Sequence, residues 1–331
     1  MRRSVLVLVA AGFLGCHGAQ SPAGAHIVRI AIHRDPIAFL PMRVAQTLGY
    51  YEQEGLTVEL SELAGGTKAI EALLGGSVDV AAGSISDAVA LAAAGRAVRS
   101  IVLLYTRPTA ALAVAPGLVG TIRSVRNLKG RTVGVSAPGS ASHQLLNYLL
   151  VTNGLLPDDV SAVSVGMTGS SIAALEHQQV DAAVLIASAI TAFEDRHGAT
   201  GFIADTRTPA GASQVFGSEL FPSVSLLTQD SWLEHHGDSA ERLVRAVKKG
   251  LRWVRTQPAE RVREMLPEGA RMTLDQDLRS IRNAQQVIST DGQMPPGSAE
   301  LVARFVAVSN PAVRAAHIDL SRIYTNEFAL K

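Results

Sequence analysis

Six short stretches of this chain stand where an apolar run gives way to a helical pattern, and five of them contain or neighbour a hydroxyl-bearing residue, nearly all beside glycine or alanine. They are His33–Asp35, Ala64–Thr67, Gly83–Ser86, Ser136–His143, Gly166–Ser171 and Leu185–Ser188. Such turns have two uses. A serine or threonine can cap the helix by accepting from an amide of its first turn. The same amides, with the helix dipole behind them and hydroxyls beside them, can hold an anion or a polar oxygen. In APGSASHQLLNYLL, which follows the apolar run RTVGVS, Ser140 or Ser142 can cap and Gly139 permits a tight turn. Both uses stay open there. The recurrence of the pattern in both halves of the chain points to a polar site shared between two units.

Other chemistry finds little to work with. Cys16 is the only cysteine and closes an N-terminal apolar run, so no cysteine nucleophile and no internal disulfide is expected in the folded part. Serines are plentiful, but neither G-x-S-x-G nor H-E-x-x-H occurs. His235-His236 is an adjacent pair expected on a surface turn, and His143 is the histidine expected near the cleft. Asp79 and Asp181 each follow a valine at the entry of a strand and read as structural. No metal or cofactor is expected. The formal net charge of +1 gives no reason to expect nucleic acid. The basic run ERLVRAVKKGLRWVR places Leu243, Val247, Leu251 and Val254 on one helical face, so its cations form the solvated side of an amphipathic helix.

The elements that must position these turns alternate regularly. With 331 residues, two domains are expected at roughly 100–200 residues each. MRRSVLVLVAAGFLGC reads as a secretory signal, its apolar run being short of the roughly 20 residues of a membrane span. FLGC resembles the lipobox of bacterial lipoproteins, which implies lipidation of Cys16; cleavage after Ala25 is the alternative. Residues 1–25 are thus assigned to signal and linker. HIVRIAIH, LTVELSEL, VDVAAGS and VRSIVLLY then read as strands separated by helices. After TRPTA the rhythm restarts with ALAVAP, RTVGVS, VSAVSV and DAAVLIAS. Alternation of this kind implies parallel pairing with crossovers. EALLGGSVDVAAG and AALEHQQVDAAVL share a phrase, which suggests two similar α/β units. PSVSLLTQDSWL reads as a return strand, and helices follow to the end.

LGYYEQEGLTVEL, GGTKAIEALLGGSVDVAAGS, LKGRTVGVSAPGSASHQLLNYLLVTNGLLPDDVSAVSV and ALEHQQVDAAVL, in that order, carry a family resemblance. The chain resembles periplasmic solute-binding proteins of ABC transporters, of the nitrate/sulfonate/taurine and thiamine-pyrimidine-precursor type. The resemblance implies an α/β fold: a two-lobed periplasmic-binding-protein-like clamp of type II, each lobe a mainly parallel sheet flanked by helices. Lobe 1 would comprise 26–107 plus 224–331 and lobe 2 108–223, with hinges near Arg107–Ala110 and Phe221–Ser225. It implies delivery of a small polar or anionic solute to a permease driven by a separate ATPase. Consistent with that division of labour, the chain has no G-x-x-x-x-G-K-[ST] loop. The expected partners are the ligand, the permease with its ATPase, and a membrane through the lipid; a monomer is expected. The candidate ligand residues are Arg34, Phe39, Gly66, Thr67, Ser84, Ser86, Ser136, Gly139, Ser140, Ser142, His143, Thr168 and Ser170. Arg34 or Arg107 could supply full charge, and Phe39 could stack on a flat ring, with a place in the core as the alternative. The alternatives are a sensor ectodomain partner and an enzyme on the same fold, serving pyrimidine-precursor or menaquinone biosynthesis.

Overall fold

A computed structural model describes residues 26–331 apart from Pro36; the N-terminal apolar run and Cys16 lie outside the described residues. The first half runs β1 (His26–His33), α1 (Leu40–Thr47), α2 (Tyr50–Gln53), β2 (Leu56–Leu63), α3 (Gly66–Leu74), β3 (Val80–Ser84), α4 (Ile85–Ala93) and β4 (Val98–Leu103). The chain then forms β5 (Ala110–Val114), β6 (Thr132–Val135), α5 (Ala141–Thr152), β7 (Ser161–Ser164), α6 (Gly169–Glu176), β8 (Ala182–Ile186), α7 (Ala187–His197), β9 (Phe202–Asp205) and α8 (Pro209–Phe216). It returns through β10 (Val224–Gln229). The helices α9 (Asp230–Thr256), α10 (Ala259–Arg263), α11 (Leu274–Gln285), α12 (Ser298–Ser309), α13 (Pro311–Ala315) and α14 (Glu327–Leu330) complete it.

Two five-stranded sheets result, in the orders β2-β1-β3-β10-β4 and β7-β6-β8-β5-β9. In the first, β1 pairs in parallel with β2 and β3; in the second, β6 does the same with β7 and β8. The expectation of parallel pairing fails at one strand of each sheet. β10 lies antiparallel between β3 and β4, and β5 lies antiparallel between β8 and β9. These are the two strands that enter a sheet directly from the other one. β5 follows β4 with no helix between them, and β10 follows α8 through the segment that crosses back from the other sheet. The edge strand β9 and the helices α7 and α8 had no counterpart in the sequence reading. β9 has four residues, all only half-buried, too few to show a periodicity.

The paired phrase has a structural cause. Asp79 accepts from the Arg29 N–H at 2.8 Å, and Asp181 accepts from the Thr132 N–H at 2.8 Å. Each carboxylate also meets an arginine, Arg29 or Arg131. Both aspartates therefore fasten the entry of a central strand to its neighbour, at equivalent places in the two sheets. The central strands are buried on both faces, as expected when helices cover a sheet from both sides.

The long helix α9 presents Leu243, Val247, Leu251 and Val254 to the core, all fully or almost fully buried. Its cations do form the outer side: Arg245 and Lys249 pair with Glu54. Gly250 lets α9 touch α1, since a Cβ there would lie 2.1 Å from the Pro41 carbonyl oxygen. The return strand ends at Gln229, and Asp230 already begins the helix. His235 and His236 are exposed on that helix, at a kink where His236 leaves helical geometry, not on a separate turn.

Candidate functional site

The turns singled out above lie at carboxyl ends of parallel strands, the place where ligands bind in open α/β sheets. Two of them, ahead of α4 and α5, are first of all caps. Ser84 ends β3 and caps α4: its Oγ accepts from the Ser86 N–H at 3.3 Å, while Asp87 accepts from the Ser84 N–H at 2.9 Å. Ser140 caps α5, accepting from the His143 N–H at 3.4 Å. Gly139 turns the chain into that cap with a left-handed φ of 75°. Ser136, Ser140 and Ser142 close a ring of hydroxyls, each pair 2.9 Å apart, and Ser142 Oγ also accepts from the Ser136 N–H at 2.9 Å.

Between the two sheets lies a cavity of about 140 Å³. From the first sheet it is lined by His33, Asp35, Ala38, Ser84, Ser86 and Val224. The second sheet and its helices contribute Ala110, Ala141, Ser142, Leu145, Ile186 and Phe216. Pro108, Thr109, Phe221 and Ser223 come from the two segments that cross between the sheets, and Phe305 from α12. The crossing segments run side by side: the Phe221 N–H donates to Thr106 O at 2.9 Å and the Ser223 N–H to Tyr105 O at 3.0 Å. The wall is mostly apolar. Phe216 stacks on Phe221 with centroids 4.0 Å apart, and Phe305 meets Phe221 edge-on at 5.0 Å. The same three rings face a second, outer groove that carries Tyr148, Leu301 and Arg304.

Two titratable groups stand in this wall. Asp35 is fully buried; its Oδ1 accepts from the N–H groups of Ile37 (2.8 Å) and Ala38 (3.0 Å), which holds the turn into α1. Its Oδ2 has no partner among the described residues. Burial raises its pKa against the pull of those two amides and of Arg43. His33 sits edge-on to Phe39 at 4.6 Å, and its Nδ1 is likewise unpartnered. Burial lowers its pKa to about 4, so the ring is neutral at pH 7.

Of the thirteen candidate residues, Ser84, Ser86 and Ser142 line the cavity. Ser136 and Ser140 stand behind Ser142 in the hydroxyl ring. His143 accepts from the Gly139 N–H through Nδ1 at 2.9 Å and is outside the lining; burial lowers its pKa. Phe39 belongs to the core beneath His33, fully buried, and presents no face to the cavity. Arg34 is exposed and Arg107 is buried toward the Gln286 carbonyl; neither lines the cavity. Gly66 and Thr67 open α3, and Thr168 and Ser170 open α6, also away from it. His33 and Asp35 line the cavity and are not among the thirteen candidates. The available signal was an aspartate two residues past a strand end, followed by proline. Among the described residues no cluster of His, Cys, Asp and Glu could hold a metal ion, and no helix is long and apolar enough to cross a membrane.

The fold has many solved counterparts. A protein of Bordetella bronchiseptica RB50 is 29% identical, with a TM-score of 0.86 over 92% of this chain and 96% of that one. The alkanesulfonate-binding protein SsuA of Xanthomonas axonopodis pv. citri, bound to MOPS, is 17% identical, with a TM-score of 0.74 over 92% and 99%. The periplasmic nitrate-binding protein NrtA of Synechocystis PCC 6803 is 13% identical, with a TM-score of 0.68 over 92% and 87%. By sequence, the chain is 23% identical over 235 residues to a 4-amino-5-hydroxymethyl-2-methylpyrimidine phosphate synthase of Saccharomyces cerevisiae. That alignment takes in 69% of this chain and 66% of the synthase. The architecture is that of the periplasmic binding proteins, two sheets flanked by helices around a cleft. The description NMT1/THI5 like matches residues 37–261, most of both sheets and the cavity wall between them, and the chain belongs to that family.

Proposed function

We propose that the chain is the extracytoplasmic solute-binding component of an ABC importer. It takes a small solute into the cavity between the sheets and delivers it to a membrane permease driven by a separate ATPase. The observation that carries this reading is the origin of the cavity wall: both sheets and both crossing segments contribute to it. A molecule held there touches both halves, and such a ligand favours the closed form by its differential affinity. The lobes are residues 26–107 with 224–331, and residues 108–223, hinged at Arg107–Ala110 and Phe221–Ser225 in a monomer. FLGC supports a lipid tether at Cys16. In a bacterial host, Cys16→Ala should move the protein from the membrane fraction to the soluble one, and an unlipidated mature protein beginning at His26 removes the tether.

The test of function is small-angle scattering with a solute that raises the melting temperature in a screen. Compaction without chemical change of the solute is expected. The yeast relatives, named as pyrimidine phosphate synthases, favour a second reading, an enzyme on the same fold. Steady conversion of the bound solute in that sample replaces the transport reading with the enzymatic one.

A further inference from the structure

The outer groove beyond Phe216, Phe221 and Phe305 has a volume of about 540 Å³, against about 140 Å³ for the cavity. Sites for small organic molecules run from about 300 to about 1,000 Å³, and the groove falls in that range. Two parts of the fold wall it. One is a stripe of α12, where Leu301, Arg304, Phe305 and Val308 follow the spacing of a single helical face. A stripe of this kind is ordinarily spent on the core, yet Leu301 and Val308 stay only half-buried. The other part is Tyr148 of α5 with Phe216 of α8 and the turn after it, whose Leu220 is 45% exposed. Tyr148 lies 4.7 Å from Phe305 and 5.9 Å from Phe216, centroid to centroid, and Phe216 meets Phe305 edge-on at 5.8 Å. A further flat ring packs against such a cluster in offset or edge-on geometry.

Two polar groups converge on this apolar surface. Arg304 is exposed and is the one charged residue of the lining; among the described residues it has no ion-pair partner. Glu300, one turn earlier on α12, and Glu219, between Ser218 and Leu220, both lie outside the lining, and Glu219 bears instead on Arg107. The Tyr148 hydroxyl has no hydrogen-bond partner among the described residues either. Burial raises its pKa and the Arg304 charge opposes the rise, so the two groups stand within electrostatic reach and the phenol is a protonated donor at pH 7. With no carboxylate in the lining, the charge that the groove complements is negative. A guanidinium fork matches the two oxygens of a carboxylate, and the phenol adds a further donor.

We propose that the outer groove is a second binding site, separate from the cavity, for a flat aromatic carboxylate. The ring packs among Tyr148, Leu301 and Phe305, and the carboxylate pairs with Arg304 and accepts from the Tyr148 hydroxyl. The groove shares three phenylalanine rings with the cavity and none of its polar groups, so the proposal holds whether the cavity serves transport or chemistry.

Three probes separate the contributions. trans-Cinnamate carries both ring and carboxylate, trans-cinnamamide the same ring without the charge, and propionate the carboxylate without the ring. Calorimetry on the folded chain should give cinnamate binding tighter than either of the others by about fivefold or more. Added salt should weaken it, because Arg304 is exposed. Arg304→Gln should reduce cinnamate to the affinity of cinnamamide, and Arg304→Lys, which keeps the charge without the fork, should fall between. Tyr148→Phe should weaken cinnamate by about threefold, the loss of one hydrogen bond. Thermal melting checks that each variant is folded. Equal binding of cinnamate and cinnamamide, an unchanged cinnamate affinity in Arg304→Gln, or no binding of cinnamate at millimolar concentration overturns the proposal. Cinnamate affinity that falls with Ser142→Ala and not with Arg304→Gln puts the probe in the cavity and overturns it too. None of these results bears on the solute-binding reading, which the scattering experiment tests by itself.

Discussion

Asp87 shows how one residue links a helix cap to the joint between the sheets. It lies in the first turn of α4, fully desolvated, and holds the Ser84 N–H on one oxygen and the Gln144 side-chain amide of α5 on the other, at 3.3 Å. Desolvation outweighs both bonds and raises its pKa to about 6 from an ordinary 3.8. The folded chain therefore keeps a proton that the unfolded chain releases at lower pH. The linkage relation then makes the contribution of Asp87 to stability fall as pH rises from about 4 to about 6, and stay level above that. Asp87→Asn has no such dependence. The stability of the unchanged protein relative to Asp87→Asn should thus decline by roughly 2–3 kcal/mol across that window. Urea melts at half-unit pH steps measure it; a difference that is constant or that grows with pH rejects the assignment.

At the scale of the element, α5 carries the clearest division between holding the fold and lining the cavity. Ser140 is its cap and lies outside the cavity lining, whereas Ser142, two residues on, lines it. Loss of a serine cap costs about 0.5–2 kcal/mol. Ser140→Ala should lower stability by that amount in a chemical melt and leave the dissociation constant of a solute found in the thermal screen within about twofold. A loss of affinity of about tenfold without loss of stability would move Ser140 from the cap to the binding surface. α4 repeats the arrangement with one change: there the capping serine itself reaches the cavity.

At the scale of the whole molecule, the two halves meet on both sides of the cavity. On one side α11 packs on α7, where Ser280 Oγ donates to Thr191 Oγ1 at 3.0 Å in a buried contact and Arg279 pairs with Asp195. On the other, α12 packs on both α4 and α5, bringing Phe305 to within 4.7 Å of Tyr148, centroid to centroid. The cavity is small and its three phenylalanine rings separate it from the outer groove. A solute enters such a space when those contacts open, which is why the scattering experiment reads compaction on binding. The hydrophobic cluster that includes Phe305 runs through residues of both sheets, so opening exposes apolar surface and carries a cost, and a ligand bridging the halves adds to the preference for the closed form.

The chain by itself determined its class and its frame. Alternating apolar runs and helical spacings located nine of the ten strands, because burial on a sheet or along a helix face imposes a local period. The doubled Val-Asp phrase was legible because both copies do the same local task at Asp79 and Asp181. Tertiary structure decided the rest. The antiparallel placement of β5 and β10 depends on where the chain crosses between sheets, which no local period records. Whether a serine caps, lines or does both depends on which helix starts converge, and Ser140 and Ser142 differ in this though only two residues apart. Phe39 took the core place that was its alternative reading, while His33 and Asp35 in the neighbouring turn line the cavity. What marks those two is an unmatched polar atom in a desolvated place. That property belongs to the packing of α1, α4 and the crossing segments around them, and it arises only when the chain has folded.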